Sequence, residues 1–312
     1  MNAPTHEPFR LASKVTALRL RARIIQALRR FFIDREYLEV ETPLLIPAPA
    51  PETHIDAVPA GDGLFLHTSP ELCMKRLLAA GYPRIFQFCK CFRTDERGSR
   101  HLPEFTMLEW YVAQFDYHQL MEQCEAMLIA GLKALEYDQR IIWQNKKINF
   151  ASGWERITVA DAFFRYAPLS CQEALVQDRF DEILVEYIEP LLGADHPTFL
   201  YDYPAKLAAL AKTKKRDPTV AERFELYIGG MEIANGFSEL TDADEQRRRF
   251  EEAQQARAKK NWARYDMPDK FLQALATMPK AAGIALGIDR MMMILTNTVQ
   301  IDNITAFPPE AL

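Results

Sequence analysis

Apolar residues recur every three or four positions in several segments of the chain, a spacing typical of amphipathic helices. In the first segment, one stripe consists of Leu18, Ile25, Leu28 and Phe32, with arginines between them. The predicted helices cover 14–35, a segment beginning near Pro70, 117–135, 173–189, 242–264 and 289–297. The run at 242–264 has few apolar positions, so we expect it to form a solvated face.

Alternating and β-rich segments predict strands at 37–42, 63–67, 84–93, 104–112, 222–228, 231–237 and 283–287. The strands at 84–93 and 104–112 are expected to pair antiparallel across a long polar loop. Gly229-Gly230 predicts a tight hairpin between two later strands. The proline-rich stretch from Pro43 to Pro51 predicts an extended loop.

The composition is that of a folded protein. The 312 residues are 48% hydrophobic and 26% charged, which is enough apolar material for one large core or two modest ones. The formal net charge is −5, so charge alone gives no support for a tRNA-binding role.

The cysteines favour a reducing compartment. Their number is odd, no C-x-x-C pair occurs, and their positions are Cys73, Cys89, Cys91, Cys124 and Cys171. Strand alternation places Cys89 and Cys91 on one face, but without a second Cys or His pair we interpret them as free thiols rather than a zinc site. No segment has the length and hydropathy of a membrane span or an h-region, so the predicted location is cytoplasmic.

The segment from Phe92 to Tyr111 is the richest in candidate chemistry. Alternation places one set of side chains on a single face, namely Phe105, Met107, Glu109 and Tyr111. The preceding turn supplies cations that could bind a triphosphate, namely Arg93, Arg97, Arg100 and His101. A surface hairpin held by salt bridges is the alternative, but such a hairpin would not need a glutamate among aromatic residues.

Two further segments suit the same site. Between Gly283 and Arg290, small residues would let a ligand approach the strand, Asp289 could cap the next helix, and tight strand–helix packing is the alternative. In the hairpin, Glu225 and Glu232 are suitable Mg²⁺ ligands, although exposed surface acids would have the same pattern.

Together these segments resemble the class II aminoacyl-tRNA synthetases. The helix and strand ending at Pro43 resemble motif 1, Phe92 to Tyr111 resembles motif 2, and Gly283 to Arg290 resembles motif 3. Three segments resemble the lysyl enzymes of this class in particular, namely Ser69-Pro70-Glu71, His101-x-Pro103-Glu104-Phe105 and Asn235-Gly236-Phe237-Ser238-Glu239. The resemblance implies an α+β fold, with a mixed, mainly antiparallel sheet flanked by helices.

Only about a dozen residues precede the first helix, so we expect one catalytic domain over 1–312 and no anticodon-binding domain. In this, and in having Ala285 where lysyl enzymes have glycine, the chain resembles their truncated paralogues, the elongation factor P–lysine ligases. That resemblance implies ATP and Mg²⁺ as cofactors, lysine or (R)-β-lysine as substrate, and elongation factor P as acceptor, with tRNA not expected. Motif 1 implies a homodimer.

The resemblance also implies roles for individual residues. The ATP set is Arg93, Thr94, Asp95, Leu102, Phe105, Glu232, Ile233, Gly287 and Arg290, with Arg93 and Arg290 catalytic. The substrate set is Ser69, Pro70, Glu71, Glu109, Tyr111, Asn235, Glu239 and Ala285. The metal ligands are Glu225 and Glu232.

Three positions depart from the family pattern. Asp95 replaces a glutamate, for which Glu96 could substitute, Leu102 replaces an asparagine, and Glu36 replaces a motif 1 glycine. The implied reaction forms an aminoacyl-adenylate and passes the acyl group to a protein lysine. The alternatives are acylation of tRNA or a small molecule, and a non-catalytic paralogue that binds an amino acid.

Overall fold

The fold is built on one central sheet of eight strands, in a computed structural model that describes residues 7–53, 55–151 and 153–312. The strands are, in chain order, β1 (Leu38–Glu39), β2 (Leu45–Ile46), β3 (Val58–Gly61), β4 (Leu64–Leu66), β5 (Arg84–Phe92), β6 (Glu104–Ala113), β7 (Arg140–Trp143), β8 (Lys146–Asn149), β9 (Glu155–Thr158), β10 (Thr198–Pro204), β11 (Val220–Ile228), β12 (Met231–Ser238) and β13 (Ala281–Gly287).

The central sheet has the order β1-β5-β6-β13-β12-β11-β10-β9. Its two outermost pairings, β1 with β5 and β9 with β10, are parallel, and the inner pairings are antiparallel. Strands β2, β4 and β3 form a small separate sheet, and β7 pairs with β8. The expected mixed, mainly antiparallel sheet is therefore confirmed.

The α-helices of the described residues are, in chain order, α1 (Glu7–Ser13), α2 (Val15–Ile33), α3 (Glu71–Ala79), α4 (Tyr117–Ala134), α5 (Val159–Tyr166), α6 (Cys171–Val176), α7 (Phe180–Ile183), α8 (Ala243–Lys259), α9 (Asp269–Leu275) and α10 (Ile288–Leu295). Helices α2, α4 and α10 cover one face of the sheet, where Leu28 and Phe32 of α2 pack with Trp110 of β6. Helices α3, α8 and α9 pack against the opposite face, around Tyr111.

The predicted helix at 173–189 is wrong as a single element. The chain forms α6 and α7 and then a π-helical turn at Leu184–Ile188. Asp178 separates the first two with a φ of 55°, a left-handed conformation that a continuous helix cannot contain. The predicted strand at 37–42 is likewise reduced to the two residues of β1.

The prediction that 242–264 forms only a solvated face is also wrong. Helix α8 buries Phe250, Gln254 and Arg257. Arg257 donates hydrogen bonds to the carbonyl oxygens of Glu52 and Ile55, at 2.8 and 2.9 Å, and also pairs with Asp56. A buried guanidinium thus fixes the loop before β3, because five N–H donors can satisfy several backbone carbonyl groups at once.

Two turns agree with the sequence. Gly229 and Gly230 join β11 to β12 with φ values of 59° and 73°, as the hairpin prediction requires. Glu36, which stands in the place of the motif 1 glycine, has a φ of 61°. The left-handed conformation that favours glycine is therefore kept here by a glutamate.

Within the described residues, none of the helices combines the length and the hydropathy needed to cross a bilayer.

Candidate active site

Two adjoining cavities open on the sheet face that carries Tyr111. Strand register sets their walls, since Glu109 is opposite Ala285 and Ala285 is opposite Asn235. We call the first the acidic cavity, with a volume of about 360 Å³, and the second the arginine cavity, with a volume of about 330 Å³. The two share wall residues, including Glu52, Arg93 and Glu225, and so form one continuous cleft.

Glu109 is the most buried acid on the wall of the acidic cavity. Its side chain is fully buried and accepts hydrogen bonds of 2.7 Å from the hydroxyl groups of Ser69 and Tyr111. Loss of solvation raises the pKa of Glu109 well above its usual range, and the nearby Cys89 and Glu71 add to this shift. A cationic ligand at this carboxylate would restore the favourable environment that burial removes.

Lys75 is a buried cation beside the acidic cavity that sequence reasoning missed. Its Nζ lies 2.5 Å from a carboxylate oxygen of Glu71 and 2.5 Å from one of Glu239. Burial lowers the pKa of Lys75, but the two carboxylates outweigh this effect and the net shift is upward. The i,i+4 spacing of Glu71 and Lys75 on α3 was a signal that could have pointed to this pair.

Glu239 lies behind the cavity wall. Its side chain is fully buried, and its Oε1 has no hydrogen-bond partner among the described residues. A Cβ added at Gly283 would stand 2.4 Å from that oxygen and 2.2 Å from Cε1 of Tyr111. Gly283 therefore permits the close approach of Tyr111 and Glu239 to β13.

The arginine cavity is lined mainly by residues of motifs 2 and 3. Its wall includes Arg93, Glu96, Arg100, His101, Leu102, Phe105, Arg223, Glu225, Glu232, Ile233, Gly287 and Arg290. The guanidinium of Arg93 lies 5.0 Å from the centre of the Phe105 ring. Arg290 donates to the carbonyl oxygen of Glu232 at 3.0 Å and to its carboxylate at 2.9 Å.

His101 is the other partner of Arg290. An arginine N–H can only donate, so the Nε2 atom of His101 accepts this hydrogen bond and the ring is neutral. Burial, and then the charge of Arg290, lower the pKa of His101. The cavity thus presents Arg290 cationic and His101 uncharged, which suits an anionic ligand.

The comparison with known proteins decides the family. Residues 9–311 match the family of tRNA synthetases class II (D, K and N). The chain belongs to this family. It is 39% identical to the elongation factor P–(R)-β-lysine ligase of Pectobacterium carotovorum subsp. carotovorum over 96% of this chain and 97% of that protein. It is 40% identical to the ligase of the same name from Mannheimia succiniciproducens, with the same coverage.

A third protein of that name, from Vibrio atlanticus, is 37% identical over 97% of this chain and 98% of its own length. These relatives are all named ligases, which agrees with the predicted enzyme class. The α+β fold and the family implied by the three motifs are confirmed.

Most of the residues predicted for the site line the cleft, with four exceptions, one of which is Glu239 behind the cavity wall. Pro70 precedes α3 without lining either cavity, and Thr94 uses its N–H to bond the carbonyl of Asp56. Asp95 occupies a turn with a φ of 60°, while Glu96 reaches the wall and lies 3.5 Å from Arg93. The interpretation of Asp289 as a helix cap is wrong, because it accepts hydrogen bonds from Arg21 and the N–H of Thr106.

The predicted metal ligands lie in the part of the cleft next to the arginines. Glu225 accepts hydrogen bonds from Tyr203 at 2.5 Å, Tyr227 at 2.7 Å and Arg223 at 2.6 Å. Burial raises the pKa of Glu225, and the facing carboxylate of Glu232 raises it further. Two mutually repelling carboxylates beside a cluster of arginines fit a hard dication that also binds phosphate oxygens.

Two wall residues escaped sequence reasoning. Arg223 bonds Asn235 at 3.1 Å as well as Glu225, so it fixes a predicted substrate residue and a predicted metal ligand together. Glu52 lines both cavities, and loss of solvation together with the nearby Glu71 raises its pKa to about 7. Arg223 is two residues from Glu225 on β11, and this alternation could have indicated that both side chains face the cleft. Glu52 had no such signal, because it reaches the cleft from a loop that Arg257 holds in place.

Proposed function

We propose that this chain uses ATP to activate lysine or (R)-β-lysine and transfers the acyl group to a lysine side chain of elongation factor P. The observation that carries the proposal is the pairing of an acidic cavity with an arginine cavity in one cleft. A substrate with two ammonium groups and one carboxylate needs acids at one end and cations at the other. The names of the relatives support the acceptor.

The acidic cavity would bind the ammonium groups. Glu71 and Glu109 lie on its wall, and Tyr111, Asn235 and Ala285 complete the surface around them. Arg93 lines both cavities, so a carboxylate that points from the acidic cavity toward Arg93 would meet the phosphates of ATP. The geometry supports attack of this carboxylate on the α-phosphorus, which forms the aminoacyl-adenylate and releases pyrophosphate.

The arginine cavity would hold ATP. Arg93 and Arg290 would neutralise charge that develops on the α-phosphate, and Phe105 would stack on the base. Glu225 and Glu232 would hold Mg²⁺, which supplies charge neutralisation at the phosphate oxygens when it is bound. In the second step the amine of a protein lysine attacks the adenylate carbonyl carbon, and AMP leaves.

Oligomeric state and location follow as further proposals. We infer a homodimer because large apolar side chains are exposed on the motif 1 elements and on the segments next to them, namely Val15, Ile33 and Leu38, and Phe9, Leu44 and Leu45. Sedimentation of a monomer at micromolar concentration would contradict it. None of the five cysteines, all of them among the described residues, forms a disulfide, which supports a reducing compartment such as the cytoplasm.

The test is ATP–pyrophosphate exchange with each amino acid, followed by transfer of the labelled acyl group. We expect exchange with lysine or (R)-β-lysine and labelling of elongation factor P, but not of tRNA. If no amino acid supports exchange, the chain is not an activating enzyme. Labelling of tRNA without labelling of the protein would leave the activation step intact and remove the proposed acceptor.

A further inference from the structure

A histidine and two cysteines form a buried group beside the cleft. Among the residues that the structure describes, a ring nitrogen of His67 and the sulfur atoms of Cys89 and Cys91 all lie within 4.8 Å of one another. All three residues are buried. The two cysteines belong to β5, and His67 comes from the segment between β4 and α3, so the chain brings together ligands that are distant in sequence.

The separation of the two sulfur atoms fits a common metal ion. Their distance is 3.7 Å. Two thiolates bound to tetrahedral Zn²⁺ at about 2.3 Å stand about 3.8 Å apart. A hydrogen bond between two thiols can have the same length, so the third residue is the more informative part of the group.

The histidine has the supporting bond that metal-bound histidines usually have. Its Nε2 lies 2.7 Å from the carbonyl oxygen of Lys90, and a carbonyl can only accept, so Nε2 carries a proton. In the neutral ring Nδ1 then has the free electron pair that a metal requires. The backbone holds this residue as well, because the N–H of Phe92 donates to the carbonyl of His67 at 3.0 Å.

One buried acceptor on the same face of β5 lacks a donor among the described residues. Gln87 lies two residues before Cys89 on the same face of β5, is 3% exposed, and its Oε1 has no hydrogen-bond partner among the described residues. An unpartnered buried acceptor is costly unless a donor reaches it. Zinc with three protein ligands typically carries a water molecule in its fourth position, and a metal-bound water is a donor of the kind that this oxygen lacks.

We propose that His67, Cys89 and Cys91 bind one zinc ion, with Nδ1 of His67 and the two sulfur atoms as ligands, in place of the free thiols expected from the sequence. Binding displaces the protons of the two thiols, and the resulting pair of thiolates balances the charge of the ion, so the buried site is neutral. The proposal concerns a metal distinct from the Mg²⁺ of the cleft and does not rest on the proposed function.

Such an ion would fasten the segment between β4 and α3 to the sheet. His67 is two residues before Ser69, whose hydroxyl bonds Glu109, and four before Glu71, which begins α3. Zinc would tie this segment to β5 through side chains in addition to the backbone bonds. The ion would therefore hold the stretch of chain that carries Ser69 and Glu71.

The experiment uses the full chain after chelation of metals. Zn²⁺ is titrated in competition with a chromophoric chelator, and Co²⁺ is then added as a spectroscopic substitute. We expect one ion per chain, a sulfur-to-cobalt charge-transfer band in the near ultraviolet, and the intense visible bands of tetrahedral Co²⁺. Because these spectra need only the wild-type chain, a variant that fails to fold would not obscure the result.

Variants identify the ligands. Cys91→Ser and His67→Asn should each weaken Zn²⁺ binding by more than the about 10–100-fold that loss of a supporting hydrogen bond costs a metal site. Cys73→Ser, which changes a partly exposed thiol on α3, should leave the affinity unchanged. Absence of binding at micromolar Zn²⁺, a Co²⁺ spectrum without thiolate bands, or equal losses in Cys73→Ser and Cys91→Ser would each overturn the proposal.

Discussion

The two cavities of the cleft differ in how their charges are held. In and behind the acidic cavity, Lys75, Glu109 and Glu239 are at most 2% exposed, and Lys75 bridges two acids. In the arginine cavity the side chains of Arg93 and Arg290 are 24% and 25% exposed to solvent. The first arrangement is fixed before any ligand arrives, whereas the second must exchange its present partners for those of a nucleotide.

Because of this difference in burial, we expect substitutions in the two cavities to affect different properties, namely the stability of the fold and the rate of the reaction. A buried charge that loses its partner destabilises the fold, because the remaining charge is left without solvent. A partly exposed charge that is removed has little effect on folding, but its loss can be severe where negative charge develops in a transition state. Substitutions in the acidic cavity should therefore affect folding as well as binding, and those in the arginine cavity mainly the reaction.

The largest effect is expected for Lys75→Met. This change leaves Glu71 and Glu239 without their common cation in a buried setting, so the free energy of unfolding should fall by about 3–5 kcal/mol. Urea unfolding followed by circular dichroism measures it. The matched control is Lys90→Met, because Lys90 pairs with Glu104 at the surface and its loss should cost less than about 1 kcal/mol. Equal losses in the two variants would mean that burial of the pair has no special role.

Arg93→Ala should lower the rate of the reaction while leaving the stability of the fold nearly unchanged. We expect the rate of ATP–pyrophosphate exchange to fall about 10²–10³-fold, with the urea midpoint close to that of the wild type. Arg97→Ala is the control, since Arg97 also follows β5 but forms exposed pairs with Asp302 and Glu310. If Arg93→Ala unfolded as readily as Lys75→Met, the contrast between the two cavities would be lost.

Most of the fold could be predicted because its strands carry local signals. The alternation at 104–112 placed Glu109 and Tyr111 on one face, and Gly229-Gly230 marked the hairpin, as the structure confirms. The helix break at Asp178 was not predicted, because the spacing of apolar residues does not indicate where a residue adopts a left-handed conformation. A sequence pattern shows which side chains share one face of a helix or strand. The predictions were therefore correct where a single element determines the geometry.

The missed residues of the site are those that depend on contacts between distant segments. Glu52 reaches the cleft because Arg257, on α8, bonds the backbone of its loop. The pairing of Lys75 with Glu239 joins α3 to the end of β12. His67 meets Cys89 and Cys91 only when the segment before α3 packs on β5. No local pattern contains such information, because each contact is produced by the packed fold.

Glu109→Gln tests the binding role of the acidic cavity. Because the amide is neutral, the KM for lysine should rise about 10–100-fold, while the KM for ATP stays within a factor of about two. Glu104→Gln is the matched control on the same strand, where the side chain is 55% exposed and pairs with Lys90. Equal increases in both KM values would indicate that Glu109 supports the whole cleft rather than the amino acid.

The smallest effect is expected for the titration of Glu52. This residue lies on the walls of both cavities and has a pKa of about 7. Its carboxyl group is mostly neutral at pH 6 and mostly ionised at pH 8, so the negative charge of the cleft rises over this window. The KM for lysine should therefore fall less than about tenfold between pH 6 and pH 8. Glu52→Gln should remove this dependence, because its amide does not titrate. A variant that kept the full pH dependence would show that another group in the cleft controls the charge offered to the substrate.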